Sequence, residues 1–134
     1  MGYYAKIYLT TVFVFLIIDL IWLLFIAKNV YQKEIGHLMG QTKVLPAAIF
    51  YLLFIAGLIF FVINPSLEKG SLLTALITGG FFGLICYGTY DLTNLATLKD
   101  WSTLVTILDL IWGTVLNSAT AGVVYLIAKH FQWH

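Results

Sequence analysis

Hydrophobic residues form four long runs along the chain, separated by short polar segments. A helix that crosses a bilayer needs ~20 residues, and the runs cover about residues 6–27, 44–63, 71–98 and 102–128. The runs are continuous and rich in Leu, Ile, Phe and Val, without the alternation typical of a transmembrane β-barrel. The pattern therefore predicts an all-α membrane protein, a single domain of four transmembrane helices.

The connections between the runs predict the topology. The second and third connections are short, so consecutive helices should pack as antiparallel neighbours in an up-down bundle. Asn64-Pro65 is typical of a helix end and closes the predicted second span. The first connection is longer, and its apolar residues recur at helical spacing from Val30 to Leu38. This spacing favours a short helix lying in the membrane interface, with a solvated loop as the alternative.

Composition narrows the class of protein. Of the 134 residues, 61% are hydrophobic and only 10% are charged, whereas soluble domains are about a quarter charged. Intrinsic disorder requires high charge and low hydrophobicity, and the chain has neither. Seven Lys, no Arg and a net charge of +1 argue against nucleic-acid binding. One cysteine, Cys86, excludes a disulfide scaffold.

The few charged residues divide by depth in the membrane. Every Lys lies at or beyond the end of a predicted span, but Asp19, Asp91 and Asp109 lie inside spans. An ionised Asp at the bilayer centre costs ~2.5–3.5 kcal/mol on insertion scales. Helical counting places each carboxyl group roughly 12–14 Å below the side that bears the first and third connections. Tyr51 reaches the same depth, so all four helices can contribute to one polar layer.

Aromatic and amide side chains accompany the three aspartates. The tetrapeptide Asp19-Leu20-Ile21-Trp22 recurs as Asp109-Leu110-Ile111-Trp112, and in each copy the carboxyl and indole groups share a helix face. Internal inverted symmetry and coincidence both account for the repeat. Tyr87 and Asn94 lie on the face of Asp91. The predicted ligand- or proton-binding residues are therefore Asp19, Asp91, Asp109, Tyr51, Tyr87, Asn94, Trp22 and Trp112.

Two further features favour helix packing. Gly79 and Gly83 form the small-xxx-small pattern that lets membrane helices approach closely. Asn117, on the face of Asp109, suggests a hydrogen bond between helices rather than a contact with a ligand.

Three functions remain compatible with a buried acidic layer. The first is binding or transport of a small cationic or amphipathic ligand, coupled to protonation of Asp, because carboxylates and aromatic faces together suit an organic cation. The second is an enzyme that acts on a lipid or isoprenoid, with Asp as general acid and base. The third is a structural subunit of a membrane complex. No metal-ligating residue or cofactor is assigned, and homo-oligomer formation stays open.

The segment Tyr90-Asp91-Leu92-Thr93-Asn94-Leu95-Ala96-Thr97, with both copies of the tetrapeptide, resembles domain-of-unknown-function family 2177. The similarity extends over nearly the whole chain, including Tyr31 to Leu38 and Ala48 to Gly57. The resemblance implies a multi-pass protein of the bacterial inner membrane whose surroundings are the lipid bilayer. It implies no particular activity or catalytic residue.

Overall fold

The chain folds into helices connected by short turns. The computed structural model describes residues 2–41 and 43–133, with Ile26 described by its backbone alone, and no strand occurs in this part of the chain. The α-helices are α1 (Gly2–Trp22), α2 (Lys28–Ile35), α3 (Val44–Leu58), α4 (Asn64–Lys69), α5 (Leu72–Thr97) and α6 (Thr103–His130). A π-helical segment, Leu23–Ala27, joins α1 to α2, and another, Ile59–Ile63, joins α3 to α4. The predicted all-α fold class is confirmed.

Four helical stretches in the described residues are long and apolar enough to span a membrane. They are Gly2–Phe25, Val44–Lys69, Leu72–Thr97 and Thr103–His130. Each presents large apolar side chains outward, among them Phe13, Phe60, Ile77 and Leu126. A soluble protein rarely exposes contiguous apolar surface of this extent, whereas lipid tails solvate it. The chain is a multi-pass membrane protein.

The second span continues past Asn64-Pro65, where the sequence suggested an end. Pro65 lies in the first turn of α4, directly after the π-helical segment Ile59–Ile63. Proline lacks an N–H and its ring displaces the carbonyl group one turn earlier, and a π-helical turn accommodates such a disruption. The helix instead ends at Gly70, whose φ of 68° is left-handed and suits glycine.

The first connection contains a helix, as the spacing of its apolar residues predicted. Residues Lys28–Ile35 form α2, and a short 3₁₀ turn, Gly36–Leu38, follows it. Glu34 Oε1 accepts a hydrogen bond from Ser102 Oγ at 2.7 Å. Ser102 is also the N-cap of α6, because its hydroxyl oxygen accepts from the Val105 backbone N–H. This pairing holds α2 against the start of α6.

The helices α5 and α6 form the closest contact in the bundle. Both Gly79 and Gly83 of α5 are buried against α6, and a side chain at either position would meet α6 backbone or side-chain atoms. The packing role predicted for these glycines matches this contact. Asn117 differs from expectation: its Nδ2 donates to Gly113 O, one turn earlier in its own helix, because the tight interface already places its side chain against Gly83.

The helix α3 is only half incorporated into the core. Its later residues Phe54, Ile55 and Leu58 are buried, whereas residues 44–53 are exposed except for half-buried Ala47. The core of the bundle therefore lies toward the second connection, around Leu58, Val62 and Leu116. At the opposite end, α3 leaves space between itself and its neighbours.

We predict that Gly83→Ala destabilises the protein. A methyl group at this position would overlap the Gly113 carbonyl oxygen and the Asn117 side chain, and overpacking of this kind costs about 1–3 kcal/mol. A lower melting temperature in detergent micelles is expected. The matched control is Gly80→Ala, where the nearest atom would be Thr114 Cγ2 at 3.4 Å, so its melting temperature should stay near that of the wild type. Equal melting temperatures for the two variants would contradict the proposed close packing.

Candidate functional site

Three aspartates from three helices line one cavity of about 510 Å³. They are Asp19 of α1, Asp91 of α5 and Asp109 of α6. Asp91 is 0% exposed and Asp19 is 7% exposed, while Asp109 is half-buried. The structure thus brings together the three carboxyl groups that helical counting placed at one depth.

The register of α5 on α6 brings Asp91 to Asp109. The contacts between these antiparallel helices repeat at each helical turn, in the pairs Gly79 with Ala121, Gly83 with Asn117, and Tyr87 with Gly113. The next pair in this series is Asp91 with Asp109, and their carboxyl groups lie within hydrogen-bonding reach of each other. The glycines that set the distance between the helices therefore also place these two acids side by side.

Asp19 has a donor from the facing helix. Trp112 Nε1 donates to Asp19 Oδ1 at 3.0 Å, and the Trp112 ring stacks on Trp22 with centroids 4.7 Å apart and planes 8° apart. Burying a carboxyl group without a partner is costly, so this bond accounts for how α1 accommodates Asp19. The stacked indoles form one wall of the cavity.

Asp109 has a donor from α2. The Tyr31 hydroxyl group donates to Asp109 Oδ1 and accepts from Trp22 Nε1 at 3.4 Å. Burial, together with the adjacent Asp109 carboxyl group, raises the pKa of Tyr31, so its hydroxyl group keeps the proton that it donates. Tyr31 connects the first connection to the acidic layer.

The two copies of the tetrapeptide meet across the bundle. Each Asp lies near the Trp of the other copy, because α1 and α6 run in opposite directions. Trp112 bonds Asp19 directly, and Trp22 reaches Asp109 through Tyr31. The repeat in the sequence thus corresponds to a reciprocal arrangement of acids and indoles.

Asp91 differs from the other two aspartates. Among the described residues, no N–H or hydroxyl group donates to either of its carboxyl oxygens, although the residue is fully buried and lines the cavity. A buried acceptor without a partner is unusual. Its neighbour Asp109 is another acid, and two facing carboxylates cannot both be ionised without a cation between them. Asp91 therefore needs either a shared proton or an external donor.

Aromatic rings complete the cavity. Phe50 and Tyr51 line it from α3, and Tyr87 and Tyr90 line it from α5. Phe54, which belongs to the hydrophobic core, contacts the Tyr87 ring at 6.4 Å between centroids, so the core adjoins the cavity. The site combines carboxyl groups with several π faces.

The structure brings seven of the eight predicted residues to this cavity, and their binding role stays a prediction. Asn94 is half-buried and does not line it, because one further turn along α5 carries it past the cavity. Sequence reasoning did not assign five other lining residues to the site: Leu23, Tyr31, Ala47, Phe50 and Cys86. Helical spacing offered a signal for Ala47, which lies one turn before Tyr51, and Phe50 lies three residues after Ala47. The position of Tyr31 at the cavity depends on how α2 packs against α1 and α6, which the spacing of residues along the sequence does not predict.

The donor set does not favour a metal centre. Within residues 2–41 and 43–133, no three His, Cys, Asp or Glu residues lie close enough together to hold a metal ion. The lining residues include no Lys, Arg or His. The cavity therefore has excess acidic groups and no basic side chain among its described walls.

We predict that Tyr31→Phe loosens α2. The change removes the donor to Asp109 and the acceptor for Trp22, and leaving buried partners unsatisfied costs about 1–3 kcal/mol. Hydrogen exchange of residues 28–35, followed by mass spectrometry, should become faster, and the melting temperature should fall. Tyr4→Phe, at an exposed position, should change neither. Unchanged exchange in Tyr31→Phe would show that this network does not hold α2.

Comparison with known proteins identifies a family to which the chain is similar. A family model described as a predicted membrane protein, DUF2177, matches residues 4–126. No curated protein and no solved structure matches the chain.

Proposed function

The chain belongs to the DUF2177 family of predicted membrane proteins, and on this premise we propose that it binds a small organic cation in the acidic cavity and releases a proton in exchange. The observation that carries the proposal is the fully buried Asp91, which lines the cavity and whose two carboxyl oxygens receive no hydrogen bond from an N–H or hydroxyl group. We place the protein in the bacterial inner membrane, as its resemblance to this family implies.

The charge of the cavity supports a cationic ligand. Three carboxyl groups line it and no Lys, Arg or His does. In a low-dielectric environment, unpaired carboxylates attract a cation strongly. The rings of Tyr51, Tyr87 and Tyr90 add electron-rich faces, which favour organic cations by about 0.5–2 kcal/mol for each contact.

The proximity of Asp91 and Asp109 supports proton exchange. When the cavity holds no cation, one proton between these two carboxyl groups relieves their repulsion. A bound cation replaces that proton, so both carboxyl groups become ionised and the proton leaves. The Tyr31 hydroxyl group donates to the Asp109 member of this pair, and Tyr90 lies close to both carboxyl groups.

A second cavity supports the proposal that the acidic cavity serves transport. A space of about 680 Å³ lies between α1 and the second span, lined by Tyr8, Asn64 and Glu68 among others. It is near the N-terminal end of α1, whereas the acidic cavity is near the C-terminal end. The buried residues Thr11 and Phe15 of α1 lie between the two levels. Alternating access, in which one site opens to either side of the membrane in turn, would make use of space at both ends of α1.

Binding is tested with butylguanidinium, a small cation that stays charged across the working pH range. Isothermal titration of the purified protein in detergent, in two buffers of different ionisation enthalpy, measures both affinity and proton release. We predict that the wild type binds and releases a proton, because the cation displaces the proton between Asp91 and Asp109. Asp91→Asn should weaken binding at least tenfold, by about 1.4 kcal/mol or more, and abolish the proton release.

The control is Asp100→Asn, which removes an acid from an exposed position in the third connection and should bind like the wild type. Asp109→Asn provides a second test of the paired acids. Wild-type affinity in Asp91→Asn, or no binding by the wild type, would contradict the proposal. If the wild type does not bind and both cavity variants unfold, the aspartates have a structural role instead.

Transport is measured separately in liposomes with a pH-sensitive dye inside. An inward gradient of butylguanidinium should drive proton efflux through the wild type and not through Asp91→Asn. Binding without proton movement would limit the function to binding. Mass spectrometry of the same lipids tests the enzymatic alternative, since altered lipid that depends on Asp91 would assign a reaction to the site in place of transport.

A further inference from the structure

The acidic cavity is open on one side. Its buried lining residues, Asp19, Trp22 and Asp91, lie on α1 and α5. The lining residues of α3, by contrast, include exposed Phe50 and Tyr51, at 52% and 37%. Across from them, Tyr90 of α5 is 59% exposed. The opening therefore lies between the first half of α3 and α5.

This opening faces the region that lipid occupies. Ala47, Phe50 and Tyr51 belong to the membrane-spanning stretch Val44–Lys69, and Tyr90 belongs to Leu72–Thr97. Apolar side chains beside the opening, such as Leu53 and Ile85, are also exposed. A molecule that passes between α3 and α5 at this level comes from the hydrocarbon layer.

The route from the first connection is obstructed by α2. Tyr31 reaches over the cavity to Asp109, and Glu34 bonds Ser102 at the start of α6. Both contacts hold α2 across the end of α1 and α6. The lateral side thus offers the more open path to the aspartates.

The chemistry of Asp91 defines the head of the molecule that would use this path. Once the proton shared with Asp109 has left, the two buried carboxyl oxygens of Asp91 need N–H or O–H groups from the ligand. A quaternary ammonium has no N–H to offer and would leave both oxygens unsatisfied. A guanidinium or primary ammonium group supplies positive charge and several donors.

Resting on the proposed function, we infer that the ligand is a single-chain cationic amphiphile that enters sideways from the bilayer. Its N–H-bearing head binds Asp91, and its alkyl chain lies in the opening between α3 and α5, against Phe50 and Tyr90. Charge complementarity selects the head, and the exposed apolar rim of the opening accommodates the chain.

The first test compares three probes on the protein in lipid nanodiscs: butylguanidinium, dodecylguanidinium and dodecyltrimethylammonium. Specific binding is the amount of probe bound by nanodiscs with the wild type minus the amount bound by nanodiscs with Asp91→Asn. This subtraction cancels the probe that dissolves in the lipid of both samples. Dodecylguanidinium should bind at least tenfold more tightly than the other two. Equal affinity of the two guanidinium probes would exclude a site for the chain, and equal affinity of the two dodecyl probes would exclude the need for N–H donors.

The second test narrows the opening. Ala47→Trp places a large ring in the cavity wall, and its matched control, Ala48→Trp, changes the adjacent exposed position. Ala47→Trp should weaken dodecylguanidinium binding at least tenfold and butylguanidinium binding less than threefold, whereas Ala48→Trp should affect neither. An equal loss for both guanidinium probes in Ala47→Trp would overturn the lateral route.

Photocrosslinking locates the chain directly. Dodecylguanidinium with a diazirine at its chain end should label residues 47–53 and 85–90, identified by mass spectrometry. Label concentrated on residues 28–38 would place the chain toward the first connection and contradict the inference. If butylguanidinium binds through Asp91 but these chain effects are absent, the inference fails while the proposed function stands. If butylguanidinium does not bind, the proposed function fails first.

Discussion

The close packing of α5 on α6 is the constraint on which the candidate site depends. Gly79 and Gly83 allow the two backbones to approach, and the contacts then repeat at every turn toward the first and third connections. Asp91 and Asp109 are the next pair in that series. Because membrane helices gain little from hydrophobic association with each other, close packing of this kind has to supply much of the affinity between them. The same contacts that stabilise the bundle place two acids together.

The surrounding helices supply hydrogen-bond donors to some of the three aspartates and not to others. The Trp112 indole of α6 donates to Asp19 of α1, and the Tyr31 hydroxyl group of α2, which accepts from Trp22, donates to Asp109. Helix α3 contributes the wall residues Ala47, Phe50 and Tyr51, and its first half lies apart from the core. The bundle is therefore tight where α5 meets α6 and open where α3 faces α5.

Much of this architecture could be predicted from the sequence. Four apolar runs predict the helices, and counting residues from the ends of the spans predicts the shared depth of Asp19, Asp91 and Asp109, because helical rise is constant. The continuation of the second helix past Pro65 could not be predicted, since a π-helical turn accommodates the proline. The position of Tyr31 depends on tertiary contacts of α2, and the exposure of Phe50 depends on how far α3 departs from the bundle. Neither the position of Tyr31 nor the exposure of Phe50 produces a periodic pattern in the sequence.

The asymmetry among the aspartates argues for a ligand more strongly than their number does. If burial of carboxyl groups served the fold alone, each would be expected to have a donor, since an unsatisfied buried acceptor costs about 1–3 kcal/mol. Asp19 and Asp109 do have donors. Asp91 is the most buried of the three, and among the described residues it has no N–H or hydroxyl donor, only the facing carboxyl group of Asp109, although Asn94 and Tyr90 lie within a turn of it. An acid at the wall of a cavity that lacks an N–H or hydroxyl donor lowers the stability of the empty protein. A bound cation with N–H groups would supply the missing hydrogen bonds.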